Sequence, residues 1–261
     1  MNAKTVLSQA CTLVFITIAL LSTTSCNDKE DNSLKVLDAE HNSVTLYYPN
    51  DNLACITIDG GVRPYSVSCQ SEILKVNMDK WPNAFNYEVL GTGEAKVKVS
   101  DASGQSVWLD VVIRYREQDF KIAKQDVLIK GDQMTVAAQK ELGEKVLASI
   151  PVKPGGGYKF IYTESESGTV HIFTEKFGDK YKEGSFEMSY YKDEENESIR
   201  FPIYTIRLDK EEHPLFIYKY NAGLRSSERI PLALYEDLTE KYKTEYPEME
   251  SVYSMQVIDT E

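Results

Sequence analysis

Three histidines, four cysteines and 41 acidic side chains are the groups in this 261-residue chain best suited to chemistry. His41, His171 and His213 stand in unrelated surroundings, and no HxH, HExxH or CxxC spacing gathers them. A metal site needs convergent His, Cys or carboxylate ligands, commonly at paired spacings. Structural or surface roles are therefore favoured for the histidines, and no metal ligand is assigned. Nucleophilic catalysis has no better footing, because no GxSxG elbow occurs and the serine-rich stretches read as turns. The run GGGY (155–158) precedes a strand and lacks the GK[ST] and the helix of a phosphate cradle, so it reads as a flexible loop. Glycoside hydrolysis needs two carboxyl groups about 5 to 10 Å apart across a cleft. Glu164, Glu166, Glu175 and Glu187 are the candidates, all at strand edges or in turns, where solvated acids belong. The acidic turn Asp193 to Glu197 offers oxygen ligands for Ca²⁺ but lacks the EF-hand spacing and its glycine. The expectation is a chain with no catalytic residue, no metal and no cofactor.

Two tryptophans are weak ligand-binding candidates. Trp108 sits between Val107 and Leu109, whose inward alternation turns it to the outer face. Packing against a neighbouring domain is favoured there over stacking on a ligand. Trp81, in DKWPNAFNY, is read on a loop that either plugs the end of a sheet pair or displays an aromatic ring, with the structural role favoured.

A further kind of chemistry is covalent attachment at Cys26. Lys4 and the apolar run LVFITIALL (13–21) are followed by small residues Ser22 to Ser25, then Cys26, then the charged run NDKED (27–31). The apolar run is too short to cross a bilayer, which takes about 20 residues. This layout resembles a bacterial lipoprotein signal peptide, although Thr23 stands where a Leu is usual. The resemblance implies cleavage before Cys26, a diacylglyceryl group on its sulfur, and durable membrane attachment through two or three acyl chains. The Lys flanked by acids resembles the export signal of Bacteroidetes-type surface lipoproteins, which implies an outer-membrane protein facing the cell exterior. A solvated tether explains the same charges.

The chain carries a net charge of −12, and removal of residues 1–25 takes away only one charged residue, Lys4. An acidic balance of this size argues against nucleic-acid binding, which leaves a basic footprint. The 17 tyrosines suit half-buried strands and contact surfaces alike.

Residues 1–25 thus read as a signal peptide and 26–33 as a charged tether. From 34 to 116 short alternating runs are separated by PND, DGGVRP, GTG and DASGQ, the rhythm of a β-sandwich. ITIDGGVRPYSVSC and GTGEAKVKVSDASGQSVWLDVVI resemble the group 2 bacterial Ig-like domains, which implies an Ig-like sandwich acting as a spacer or adhesion module. Cys55 and Cys69 fall opposite each other if a hairpin is centred on Val62. Hydrophobic register turns Cys55 outward and Cys69 inward, so two free thiols are expected. From 117 to 261 the rhythm changes. A helix is expected over 132–150 with Asp132 as its N-cap, and a second over 231–246 with Leu234, Leu238 and Tyr242 on one face. Tyr-rich strands lie between them, and SVYSMQVI closes the chain. The expected fold class is an N-terminal all-β Ig-like sandwich followed by an α+β domain, an antiparallel sheet with two helices.

Together these readings describe a non-enzymatic, lipid-anchored surface protein. The first domain is its spacer, and the second presents a surface for a glycan or protein partner. The alternatives are a carboxylate-dependent hydrolase and a structural, pilus-type subunit of a surface assembly.

Overall fold

The computed structural model describes residues 32–49, 55–192, 200–220 and 231–259. Cys26, the signal segment, the charged run 27–31 and the acidic turn 193–197 lie outside the described residues.

The run EAKVKVS lies in strand β7 (Gly93–Ser100), and SVWLDV opens β8 (Ser106–Lys130). The two pair antiparallel, with Val97 opposite Leu109 and Lys96 opposite Asp110. Val97, Val99 and Leu109 are fully buried, while Lys96 and Asp110 bridge at 2.8 Å on the other face. This hairpin has the register that the alternation predicts. β4 (Ser66–Cys69) extends the sheet beside β7, and β2 (Ser43–Tyr48) joins it parallel to β8.

A separate four-stranded sheet runs in the order β1 (Lys35–Val36), β3 (Cys55–Asp59), β6 (Ala84–Val89), β5 (Leu74–Trp81). Its Ile56, Ile58, Leu74 and Phe85 share one core with Leu46, Val97, Leu109 and Val111. Asp101, in the β7–β8 turn, ties the two parts together. Its carboxylate accepts hydrogen bonds from the backbone N–H groups of Val62, Ser103 and Gln105 and from the Ser103 hydroxyl. Burial opposes the charge, yet these donors hold the carboxyl below its ordinary pKa. Gly61 of the GGVRPY run has φ +65°, and a Cβ there would stand 2.7 Å from Asp101 Oδ2. Only glycine fits that approach.

β8 does not end where the expected first domain does. It runs unbroken for 25 residues through the 116/117 boundary. Its second half pairs with β9 (Gly157–Glu164), and an antiparallel series follows: β10 (Ser167–Phe173), β11 (Lys182–Lys192), β12 (Arg200–Leu208), β13 (Glu211–Lys219), β14 (Leu232–Asp237) and β15 (Ser251–Ile258). β15 returns to β8, Ser251 opposite Lys130 and Gln256 opposite Gln125, so eight strands close a barrel.

The expected fold class is therefore corrected. Strand makes up 59% of the described residues and helix 9%, and residues 117–261 form a closed antiparallel barrel instead of an α+β sheet with two helices. The Ig-like sandwich expected of 34–116 is likewise not supported, because its last strand is also a barrel stave. The first half of the helix expected over 231–246 is strand β14. Leu234 points into the barrel core, while Ala233 and Tyr235 pack on the outer wall, so three consecutive residues are buried. Burial on both faces removes the alternation that would announce a strand.

Of the expected second helix only α2 (Thr239–Lys243) forms, whereas α1 (Val136–Ser149) lies within the first expected span. The α1 N-cap is Thr135, whose hydroxyl accepts from Ala138 N–H, not Asp132. Leu142 and Val146 of α1 pack with Tyr242, Tyr246, Met249 and Val252 into one apolar cluster beside the barrel strands.

Aromatic side chains fill the barrel. Phe160 lies 4.9 Å from Phe186, 4.6 Å from Tyr204 and 5.5 Å from Phe120, ring centre to ring centre. Each such ring, removed from water, contributes roughly 1.5 to 3 kcal/mol. Ile122, Val170, Ile172, Ile206 and Leu215 complete the packing. The lumen is a core, not a ligand chamber.

Candidate binding face

Alternation along β8 sets the geometry of the candidate site. In its first half Leu109, Val111 and Ile113 are buried, so Trp108, Asp110, Val112 and Arg114 lie on the opposite side. From Gln118 to Ile122 the buried parity reverses. Phe120 and Ile122 lie in the barrel core, and Gln118 accepts hydrogen bonds from Tyr162 and Tyr204 inside the same wall. The outer face of the first sheet and the lumen of the barrel are therefore one side of one strand.

Trp108 stands on that side with 55% of its surface exposed. The packing against a neighbouring domain favoured from the sequence is absent among the described residues. Lys98, its cross-strand partner, places its ammonium 5.9 Å from the indole, and Ser68 lies beyond it on β4. Together with Gln70, Lys96 and Asp110 these residues line a shallow depression of about 960 Å³. Asp110 accepts a hydrogen bond from Lys96 and raises its pKa, which keeps the ammonium charged. An exposed flat ring edged by hydroxyl, amide and charged groups can stack on an apolar face and hydrogen-bond around its rim.

Further along the same side, Tyr47 of β2 lies opposite Arg114. Both are exposed and border a second depression of about 370 Å³, with Tyr115, Arg116 and Glu117. Arg116 then marks the barrel mouth, its guanidinium 4.0 Å over the Tyr162 ring and donating to Ser165 C=O. Burial raises the pKa of the Tyr162 and Tyr204 hydroxyls, so they remain protonated donors to Gln118.

The other sequence candidates do not join this face. Trp81, 53% exposed, ends strand β5 on the separate sheet instead of lying on a loop. Cys55 is exposed on β3 and Cys69 half-buried on β4, in different sheets and unbridged. The hairpin that would have set them opposite each other does not form. Burial raises the Cys69 thiol pKa. GGGY leads into β9 and is packed tightly, since a Cβ on Gly156 would meet Phe173 C=O at 2.2 Å. Glu164, Glu166 and Glu187 border a shallow depression of about 540 Å³ that does not include Glu175. A hydrogen bond from Arg207 lowers the Glu187 pKa and keeps it ionised, unsuited to donating a proton.

His213 accounts for the closest approach of a histidine to a carboxylate among the described residues, Nδ1 lying 2.8 Å from Glu236 Oε1. The hydrogen bond with Glu236 raises its pKa above the ordinary value. Tyr158, donating to Gln256 Oε1 at 3.0 Å, lines the same small cavity. That cavity measures about 10 Å³, room for one water and no substrate.

Comparison with protein-family models, with curated proteins and with solved structures gives no match. The functional reading rests on the geometry of the face itself.

The sequence pointed to Trp108 but missed Arg114 and Tyr47. Extending the alternation of SVWLDVVIRY would have put Arg114 beside Trp108. Nothing local announces the parallel pairing that brings Tyr47 there.

Proposed function

We propose that this is a lipid-anchored surface protein that binds a saccharide on the open face of its first sheet, around Trp108. The observation that carries the reading is the exposed indole in a polar depression, against a barrel whose lumen is filled by its own aromatic rings. The roles expected of the two regions are thereby exchanged, with the first part presenting the contact and the barrel supporting it. Cys26 and the small-residue run before it support attachment to a membrane, and the run after it supports display on the outer surface.

Affinity electrophoresis of the full chain through gels containing individual polysaccharides tests the binding. Retardation by at least one polysaccharide that Trp108→Ala removes, at unchanged melting temperature, is the expected result. Retardation indifferent to Trp108 would place the site elsewhere. For the anchor, Cys26→Ala should move the protein from the detergent phase to the aqueous phase.

A further inference from the structure

We infer that the saccharide is an anionic oligomer, bearing carboxylate or sulfate groups, and that Arg114 reads its charge. This deepens the saccharide reading of the face and rests on it. The chain has 41 acidic against 29 basic residues, yet Lys96, Lys98 and Arg114 stand together on one side of β7 and β8. Lys96 is committed to Asp110 at 2.8 Å, and Lys98 lies over Trp108. Arg114 has no ion-pair partner among the described residues and is exposed.

The nearby acids are largely compensated. Asp110 is held by Lys96, and Glu117 accepts from Lys159 at 2.7 Å, which leaves Glu94, opposite Val112 between Trp108 and Arg114, so that three cations face two acids along the strip. The strip is thus a local reversal of the protein's overall sign. A negative ligand is repelled by most of this surface and guided toward that strip. The planar guanidinium fork suits a carboxylate or sulfate group better than it suits a neutral hydroxyl.

Spacing sets the ligand's size. Six residues along one strand separate Trp108 from Arg114, roughly 20 Å at the rise of a β-strand. A ligand that touches both is an oligomer, stacked on Trp108 at one end and paired with Arg114 beside Tyr47 at the other. Arg116 and the barrel mouth lie just beyond, so the track ends where the lumen is closed by its tyrosines.

Isothermal titration of the full chain carrying Cys26→Ser tests this, with length-matched neutral, uronate-containing and sulfated oligosaccharides at low and high salt. The expected result is about tenfold tighter binding of an acidic oligomer at low salt, a preference that shrinks as salt rises. Arg114→Gln should remove that preference, whereas Trp108→Ala should weaken neutral and acidic oligomers alike. Neutral oligomers binding as well as acidic ones, or a preference that survives Arg114→Gln, overturns the inference while leaving the saccharide reading in place. Failure of every oligosaccharide to bind overturns both. A response to only one of the uronate and sulfate series identifies which anion Arg114 reads.

Discussion

The two halves of β8 bury opposite faces. From Val107 to Ile113 the odd-numbered side chains enter a core shared with a separate sheet. From Gln118 to Ile122 the even-numbered ones enter the barrel, with no bulge at the crossing. The barrel lumen is packed with aromatic rings, while Tyr181, Tyr190, Tyr191 and Tyr218 stay exposed outside it. The first sheet is covered on one face only and leaves Trp108 in water. An aromatic residue packed inside a closed barrel is unavailable to a ligand, so the barrel lumen is the poorer candidate for binding.

The largest effect expected from this contrast is on the sealed half. Phe160→Ala should cost about 3 to 5 kcal/mol in denaturant unfolding, because its neighbours are fixed by eight closed strands. A loss below about 1 kcal/mol, with uptake of an apolar dye, would mean that the lumen is a carrier cavity after all.

Trp108→Ala is the mirror experiment. Stability should change by no more than about 0.5 kcal/mol. Affinity should fall by about 2 kcal/mol, roughly 30-fold, as for a central aromatic contact. Those two numbers exchanged would assign Trp108 to packing.

Much of the first sheet was legible. AKVKV and SVWLDV alternate cleanly because one of their faces is wet, and the hairpin between them follows directly. Most strands of the barrel were legible as strands too, but not the barrel itself. Closure depends on β15 meeting β8 more than a hundred residues away, and no local pattern carries that pairing. PLALYEDL was misread because Leu234 and Leu238 sit at helical spacing while Ala233 and Tyr235 are also buried, on the outer wall. Of the binding face, Trp108 was legible from alternation alone, and Tyr47 required the fold.

A smaller effect tests the barrel mouth, where the two halves meet. Tyr204→Phe removes one hydrogen bond to Gln118 Oε1, now 2.9 Å long, and should cost about 1 kcal/mol. Saccharide binding should be unaffected if the track ends at Arg116.

The smallest effect is a pH dependence at the far side of the barrel. The hydrogen bond to Glu236 raises the His213 pKa, with Glu211 adding to it, while Lys241 and partial burial oppose it. A histidine with a raised folded-state pKa contributes stability that is fully present below its unfolded value of about 6.5. That contribution is lost as pH climbs through the folded value. The melting-temperature gap between the native chain and His213→Gln should therefore be widest in mild acid and narrow in base. A gap that is flat from mild acid to base would remove His213 from the account.

The central claim is that the open face, and not the barrel, meets the ligand. The chain has two tryptophans, one on each sheet of its first part, so two indole N–H resonances report on both at once. Titration with an acidic oligosaccharide, followed in the ¹H–¹⁵N spectrum and assigned with Trp108→Phe, should shift the Trp108 indole to saturation and leave Trp81 in place. A saturating shift of Trp81, or of barrel amides with Trp108 unmoved, would contradict the account.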